Sequence, residues 1–504
     1  MPDADRRAIY AWWIAAAYVA LQLAVVTQYG IFRDELYYLA CGDHLAWGYV
    51  DHPPMIALIA RISRTLFGES LLAIRLLSAV AGGATIVLAG RLAVRFGGDR
   101  WAAALAAASV AIVPALLFLF HILSMNAWDI LLWTALASLV ARIVVEGDRR
   151  QWLAAGFVIG VGLETKHSMA FLVIGLGAGM LLTRERRWLL DPYLWGGAAI
   201  AAAIVAPHVA WQISNGWPTL EFIHNAETMK NAVLTPGQFL LSQAFELHPV
   251  NGLLLIGGLW FFFTADGGRL RLFGWAYVVI MLIIVLQHGK TYYLSPSYPF
   301  MLAGGSVAAS RLLSGRAARA AVFTVVLLSG AIVAPAAFPL LSIQHYIAYT
   351  SALGLRPPDA ERNATAALPQ YFADMFGWDD IVETVAAVYR SLPPGERAKA
   401  GIFALNYGDA GAIDFLGPRH GLPIKAISPH NSYYLWGPDD VSGEVLIVIG
   451  GRVDDHLESY ASVQKAATIE CGYCMPFENH RPVYVLRHPK RPMAEIWRTS
   501  KKYI

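Results

Sequence analysis

Long apolar stretches recur through the first two thirds of the chain, and arginines concentrate in every second connection between them. About 20 apolar residues suffice to cross the ~30 Å hydrocarbon core of a bilayer. Only 15% of the 504 residues are charged, whereas soluble domains average about 25%. The chain is therefore predicted to be a polytopic α-helical membrane protein. The stretches that suit a span are residues 9–28, 71–90, 102–120, 123–141, 152–164, 168–183, 193–210, 250–264, 272–287, 292–310 and 320–341.

The arginines also predict sidedness, because basic residues favour cytoplasmic connections. Their alternation predicts a cytoplasmic N terminus, eleven spans and a C terminus on the outer side. The first stretch could instead be a signal peptide, but its roughly 20 apolar residues exceed the 7–15 of a signal core. The arginines concerned are Arg6, Arg7, Arg91, Arg95, Arg100, Arg142, Arg149, Arg150, Arg184, Arg186, Arg187, Arg269, Arg271, Arg311, Arg316 and Arg319.

The composition changes after about residue 345, where charge density becomes ordinary and no further span follows. Helical periodicity over 378–392 alternates with short apolar runs that are typical of buried strands, which predicts a small α/β domain. The runs are 399–405, 422–428, 444–450 and 482–487. We therefore expect a transmembrane domain over residues 1–344, with long outer loops at 29–70 and 211–249, and an extracytoplasmic α/β domain over residues 345–504.

Several function classes do not fit the sequence. The 39 basic and 36 acidic residues are too balanced for a nucleic-acid binder, and neither a P-loop nor an H-E-x-x-H motif is found. Cys471 and Cys474 form a C-x-x-C pair. Because zinc sites usually supply four ligands, a structural disulfide or unpaired thiols are favoured over a redox or zinc site.

The first outer loop carries the densest group of polar residues. Asp34 and Glu35 follow the first stretch directly, and adjacent carboxylates there can act as a catalytic base or bind a cation. The alternative is a solvated helix start, where acidic residues favour the helix dipole. Candidate binding residues of the same loop are Arg33, Tyr37, Tyr38, Tyr49, Asp51 and His52.

Further polar residues lie in the other outer connections. Asn126 and Asp129 share one helix face, and an acidic group near hydrocarbon is costly enough to indicate function, although an interfacial carboxylate is the alternative. Lys166 and Lys290 oppose the positive-inside tendency, which snorkelling alone could also explain. Cations near outer carboxylates suit an anionic lipid phosphate. His288, Tyr292 and Tyr293 complete this set.

These motifs resemble the GT-C membrane glycosyltransferases. They are most similar to the dolichyl-phosphate-mannose–protein mannosyltransferase superfamily (glycosyltransferase family 39), which includes the lipid A aminoarabinose transferase. The resemblance rests on Asp34-Glu35, the segment 49–54, Thr165-Lys166 and the segment 290–296, and it covers roughly residues 8–310. It implies a polyprenyl-phosphate-sugar donor, a lipid, glycan or protein acceptor, and inverting transfer on the outer side of a bacterial inner membrane.

The resemblance also implies roles for individual residues. Asp34 would be the general base, whereas the second acidic position of the family corresponds to Asn126 here, which makes Asp129 a candidate substitute. The aminoarabinose transferase has a lysine where this chain has His52. The donor phosphate is therefore expected to contact chiefly Lys290, with further contacts from His288, Arg33 and Lys166. No nucleotide cofactor is needed because the lipid phosphate activates the donor, and a divalent metal stays an alternative.

Two other functions compete with transfer to a glycolipid or another envelope acceptor. A transporter or flippase of lipid-linked sugars could use the same charges, but polar groups near the bilayer midplane would be expected for it. A noncatalytic scaffold could present the α/β domain, but the cluster of acidic, basic and tyrosine residues argues against it.

Overall fold

The computed structural model describes residues 6–230, 234–354 and 367–504. The chain divides into two compact units, and each is built from three separate segments. The first unit comprises Met1–Gln28, Ser63–Ala210 and Ala232–Pro358. The second comprises Tyr29–Ile62, Trp211–Asn231 and Asp359–Ile504.

The first unit is helical. Short polar side chains begin several of its helices: the Ser70 hydroxyl accepts a hydrogen bond from the Ala73 N–H, and Asp99 does the same for Ala102. Its α-helices are Ile9–Ala24, the end of Met55–Phe67, Leu71–Arg95, Arg100–Ala111, Pro114–Leu119, Met125–Glu146, Gln151–Thr165, Met169–Leu181, most of Pro192–Ser214, Pro236–Leu247, Pro249–Phe263, Arg271–Leu286, Tyr298–Leu312, Arg316–Ala337 and Ile343–Ala352. Short 3₁₀ helices cover Arg184–Leu190, Ala265–Leu270 and Thr291–Ser297.

Some of these helices are long and apolar enough to cross a bilayer. In the described part of the chain they are Leu71–Arg95, Met125–Glu146, Pro192–Ser214, Gly267–Leu286 and Arg316–Ala337, five in all. The helices Pro236–Leu247 and Pro249–Phe263 meet at a bend of 110° and add a sixth if they form one span. Shorter apolar helices are Ile9–Ala24, Arg100–Ala111 and Met169–Leu181. Eleven spans stay a prediction.

Two predicted stretches are broken in the structure. The stretch 102–120 ends as a helix at Ala111 and restarts at Pro114, because proline lacks an N–H and keeps the preceding residue extended. The stretch 292–310 begins as the 3₁₀ helix Thr291–Ser297 before the α-helix Tyr298–Leu312. This break places two tyrosines of the predicted site on a short helix of their own.

The second unit contains a five-stranded sheet, whose strands are β1 (Ala400–Ala404), β2 (Ala426–Ile427), β3 (Val445–Ile449), β4 (Tyr460–Thr468) and β5 (Pro482–Pro489). Their order in the sheet is β2-β1-β3-β5-β4. β1 pairs in parallel with β2 and β3, whereas β5 runs antiparallel to β3 and β4. Four of these strands lie in the predicted apolar runs, and β4 was not predicted.

Helices complete the second unit. They are Arg33–Asp43, most of Met55–Phe67, Pro218–Asn225, Gln370–Ala373, Trp378–Ser391, Pro394–Arg397, Tyr407–Leu416, Ser432–Trp436, Val453–Leu457 and Met493–Ser500, with the π-helix Ala226–Lys230 and the 3₁₀ helix Gly417–His420. The periodicity over 378–392 corresponds to the helix Trp378–Ser391.

The grouping of the outer loops differs from the predicted domain boundary, which assigned residues 29–70 and 211–249 to the transmembrane domain. The structure places 29–62 and 211–231 in the same unit as the tail. Close packing explains this, because a Cβ on Gly411 would lie 2.9 Å from the backbone of Leu36. Asn225 adds a bond from its side-chain amide to the Tyr503 carbonyl at 2.8 Å.

Candidate active site

Asp34 lies in the first turn of the helix Arg33–Asp43, and its side chain is 34% exposed. The Tyr407 hydroxyl donates a hydrogen bond to Asp34 Oδ1 at 2.8 Å, and Arg33 Nε lies 3.5 Å from the same oxygen. Tyr407 and Arg33 thus both contact the same carboxylate oxygen of Asp34, Oδ1. The carboxylate is held through one oxygen, while a third of the side chain is exposed.

Arg33 connects Asp34 to a second carboxylate, Asp374. Its Nη1 lies 3.4 Å from Asp374 Oδ2, and its backbone N–H donates to the Asp374 carbonyl at 3.0 Å. The guanidinium also lies 5.8 Å from the centre of the Tyr407 ring. Arg33 is only 13% exposed, so these contacts fix the start of the helix that carries Asp34.

Glu35 has a different environment from its neighbour. It is fully buried, and its Oε2 accepts a hydrogen bond from the Phe32 backbone N–H at 2.8 Å. A glutamate at the third helical position commonly reaches back in this way to cap the helix start. The geometry therefore favours a capping role for Glu35, although the sequence placed it among the catalytic candidates.

Tyr37 and Asp51 form a second polar group in the same unit. The Tyr37 hydroxyl donates to Asp51 Oδ1 at 2.7 Å and lies 2.7 Å from Ser432 Oγ. Desolvation raises the pKa of Asp51, which nearby His52 partly offsets. Desolvation by burial raises the pKa of Tyr37 well above its usual value, so its hydroxyl stays protonated.

The remaining candidates of the first loop are buried. The His52 ring nitrogens lie 2.8 Å from the Pro53 carbonyl and 3.6 Å from Cys41 Sγ. Burial lowers the pKa of His52, and the neighbouring carboxylate of Asp51 opposes this shift. Its ring stacks on Tyr49 at 4.7 Å and contacts Tyr38 edge-on at 5.2 Å.

A buried charged group lies in the tail. Arg481 binds Asp409 through both terminal nitrogens at 2.6 Å each. Glu478 is fully buried, and neither of its carboxylate oxygens has a hydrogen-bond partner among the described residues. Cys471 and Cys474, in the same loop, form a disulfide. The disulfide is consistent with the favoured structural interpretation of the C-x-x-C pair.

The first unit holds the other predicted cluster. Lys166 Nζ donates to Asn126 Oδ1 at 2.7 Å and lies 4.5 Å and 5.6 Å from the ring centres of Tyr293 and Tyr292. It also lies 4.0 Å from Oδ2 of Asp129. Lys166 is thus held by an amide, a carboxylate and two aromatic faces.

Asp129 is fully buried, and its Oδ2 accepts a hydrogen bond from the Ser168 hydroxyl at 2.6 Å. Lys290 directly precedes the short helix Thr291–Ser297, and His288 is exposed with a left-handed φ of 50°. Among the described residues, no group of three or more His, Cys, Asp or Glu side chains is arranged to hold a metal ion.

Comparisons with known proteins match this architecture. The family model described as dolichyl-phosphate-mannose-protein mannosyltransferase matches residues 51–211. ArnT from Cupriavidus metallidurans in the apo state has a TM-score of 0.64 at 16% identity, covering 94% of this chain and 97% of that chain. The chain therefore has the fold of ArnT, and residues 51–211 match the mannosyltransferase family model. The resemblance inferred from the motifs is thereby confirmed.

Two further comparisons extend this one. The structure of the same ArnT bound to undecaprenyl phosphate has a TM-score of 0.60 at 14% identity, with the same coverage of both chains. The lipid A galacturonosyltransferase RgtD of Rhizobium johnstonii is 25% identical over 266 residues, which is 51% of this chain. The match spans 55% of RgtD, about half the length of that relative.

Sequence reasoning missed several residues that contact the predicted site residues. Tyr407, Asp374 and Ser432 contact the predicted residues but follow them by hundreds of positions. Ser168, the partner of Asp129, lies two residues after Lys166. Two polar segments of the tail, 406–408 and 430–433, were available signals, since they resemble the tails of bacterial members of the family, but they assigned no role to Tyr407 or Ser432.

Proposed function

We propose that the protein is an inverting glycosyltransferase of the bacterial inner membrane. It moves a sugar from a polyprenyl-phosphate donor to a hydroxyl group of a lipid, glycan or protein on the outer side. The acceptor oxygen attacks the anomeric carbon, the bond from that carbon to the phosphate oxygen breaks, and polyprenyl phosphate leaves. The acceptor proton passes to Asp34.

The environment of Asp34 is the observation that carries this proposal. Its carboxylate is oriented through Oδ1 by Tyr407 and Arg33, while a third of the side chain is exposed. A carboxylate that only caps a helix start, or that is only solvated there, needs neither Tyr407 nor Arg33 as a partner. A positioned carboxylate that can accept a proton in the transition state contributes about 10²–10⁴ in rate.

The cluster around Lys166 is the proposed phosphate site. Its ammonium lies beside an amide oxygen and two tyrosine rings, an arrangement that orders the cation before a ligand binds. Lys290 precedes the helix of both tyrosines and is the second candidate cation. The undecaprenyl phosphate bound by the similar ArnT structure and the lipid A named for the relative RgtD support a lipid-linked donor and a lipid acceptor.

Asp34→Asn tests the proposal, since asparagine keeps the shape of the side chain and loses the proton acceptor. We expect sugar transfer from a purified polyprenyl-phosphate sugar to fall at least a hundredfold, in line with the roughly 10²–10⁴ contributed by a general base. The control is Asp43→Asn at the far end of the same helix, where the carboxylate pairs with Arg61 at 3.0 Å. Thermal stability is measured in parallel.

Wild-type turnover by a folded Asp34→Asn variant would eliminate Asp34 as the base, whereas the absence of transfer by the folded wild-type protein would contradict the transferase proposal. Equal losses in both variants would point to damage of the helix instead. A transporter is the second candidate, because the 110° bend between Pro236–Leu247 and Pro249–Phe263 is a discontinuous helix of the type found in transporters. Protein-dependent movement of a fluorescent lipid-linked sugar across liposomes, without transfer, would favour it.

A further inference from the structure

The helix Tyr407–Leu416 of the tail packs directly on the helix that carries Asp34. Tyr407 is its first residue, and Gly408 and Gly411 face the helix Arg33–Asp43. A Cβ on Gly408 would lie 2.8 Å from Arg33 Cγ, and one on Gly411 would lie 2.9 Å from the Leu36 backbone. Only glycine at these two positions allows so close an approach.

The position of Tyr407 is fixed from several directions. The Asn406 side chain caps the helix by accepting a hydrogen bond from the Asp409 N–H at 2.9 Å. The Tyr407 ring stacks on Tyr37 at 4.6 Å and lies 4.8 Å from the ring of His430. Tyr407 is only 6% exposed. Its hydroxyl therefore meets Asp34 Oδ1 without an entropic cost of ordering at the moment of reaction.

We propose that Tyr407 is a positioning residue for Asp34, through which the C-terminal tail completes the catalytic carboxylate. The hydrogen bond fixes the rotation of the carboxylate and directs Oδ2 to the acceptor hydroxyl. The inference rests on the proposed transferase function and on Asp34 as the base.

Tyr407→Phe removes the hydroxyl and keeps the ring. We expect kcat to fall about tenfold to a hundredfold, as for a misplaced catalytic group, with KM nearly unchanged. A loss confined to kcat, with KM and the thermal transition unchanged, is a result that a merely structural tyrosine would not give. The assay uses the full-length protein in detergent or nanodiscs with a purified lipid-linked sugar, and the thermal transition is recorded for each variant.

Tyr433→Phe is the matched control. Tyr433 is a similarly buried tyrosine of the same tail, and its hydroxyl donates to the carboxylate of Asp414 at 2.8 Å. We expect this variant to keep the wild-type kcat and KM. Equal losses in Tyr407→Phe and Tyr433→Phe would overturn the proposal, because they would reflect the tail fold and not the contact with Asp34.

Asp34→Asn is measured in the same assay, and it distinguishes an error in the positioning role of Tyr407 from an error in the assignment of Asp34 as the base. If Asp34→Asn is inactive while Tyr407→Phe shows the wild-type kcat, the positioning role is wrong and the transferase proposal stands. If Asp34→Asn is active, the base assignment itself is wrong, and the role of Tyr407 falls with it.

Discussion

Glu478 makes the stability of the tail depend on pH in an unusual direction. Burial is the main cause that raises the pKa of Glu478 to about 8, and the carboxylates of Asp374 and Asp409 raise it further, against the opposing charges of Arg481 and Arg33. In the unfolded chain the same carboxyl group titrates near its ordinary value of about 4.3. The folded protein therefore holds a proton on Glu478 at pH values where the unfolded chain has lost it.

The sign of the effect follows from this difference. The contribution of Glu478 to the free energy of unfolding is fully present below the pKa that Glu478 has in the unfolded chain. It is lost as the pH rises through the pKa of about 8 in the folded protein. Each pH unit within this window removes about 1.4 kcal/mol, so the loss reaches the order of a few kcal/mol by pH 8. Glu478→Gln abolishes the titration, and we expect the variant to match the wild type at pH 5 and to exceed its stability at pH 8.

The measurement is the thermal transition of the purified protein between pH 5 and pH 8.5. Glu470→Gln is the control, because Glu470 belongs to the same loop but is 67% exposed and pairs with His480 at the surface. An exposed pair of this kind contributes little to stability. If the thermal transition temperatures of the wild type and Glu478→Gln change in parallel across this pH range, Glu478 is ionised in the folded protein and the predicted pH dependence is wrong.

Other variants test the phosphate site and the packing. Lys166→Ala removes a charge-assisted contact worth roughly 1.5–3 kcal/mol, and we expect donor affinity to fall about ten- to a hundredfold in a binding assay with polyprenyl phosphate. Lys290→Ala is measured beside it, and unchanged binding in both variants would contradict the assignment. Gly411→Val forces a side chain against the Leu36 backbone, so we expect a loss of about 1–3 kcal/mol in chemical denaturation, whereas wild-type stability would show that the helices separate easily.

The sequence predicted those parts of the structure that leave a local pattern. Apolar length and periodicity placed most helices, and continuous apolar runs such as Leu446–Ile449 placed the buried strands. β4 was missed because it is an edge strand of mixed polarity, with exposed residues at Ala461 and at 464–466. No apolar run marks such a strand, because one of its edges has no neighbouring strand.

The same limit applies to the candidate site. Asp34, Lys166 and the two tyrosines that face the lysine occur in short motifs, so they could be selected from one sequence. Tyr407 could not, because its importance lies in a contact with a residue 373 positions earlier. Similarly, the sequence does not distinguish Glu35 from Asp34, because both are carboxylates at the same helix start. The hydrogen bond from the Phe32 backbone N–H to the Glu35 side chain distinguishes their roles.

The construction of the second unit from three distant segments has a consequence for biosynthesis. The helix Arg33–Asp43 is synthesised 373 residues before its partner tyrosine, and at about 5–20 residues per second the interval is roughly tens of seconds. During that time the tail does not yet cover the surface of this helix around Leu36, a residue that is fully buried in the folded protein. High contact order of this kind slows folding. A nascent chain that terminates before residue 407 never acquires that cover, and we expect quality-control proteases to degrade it.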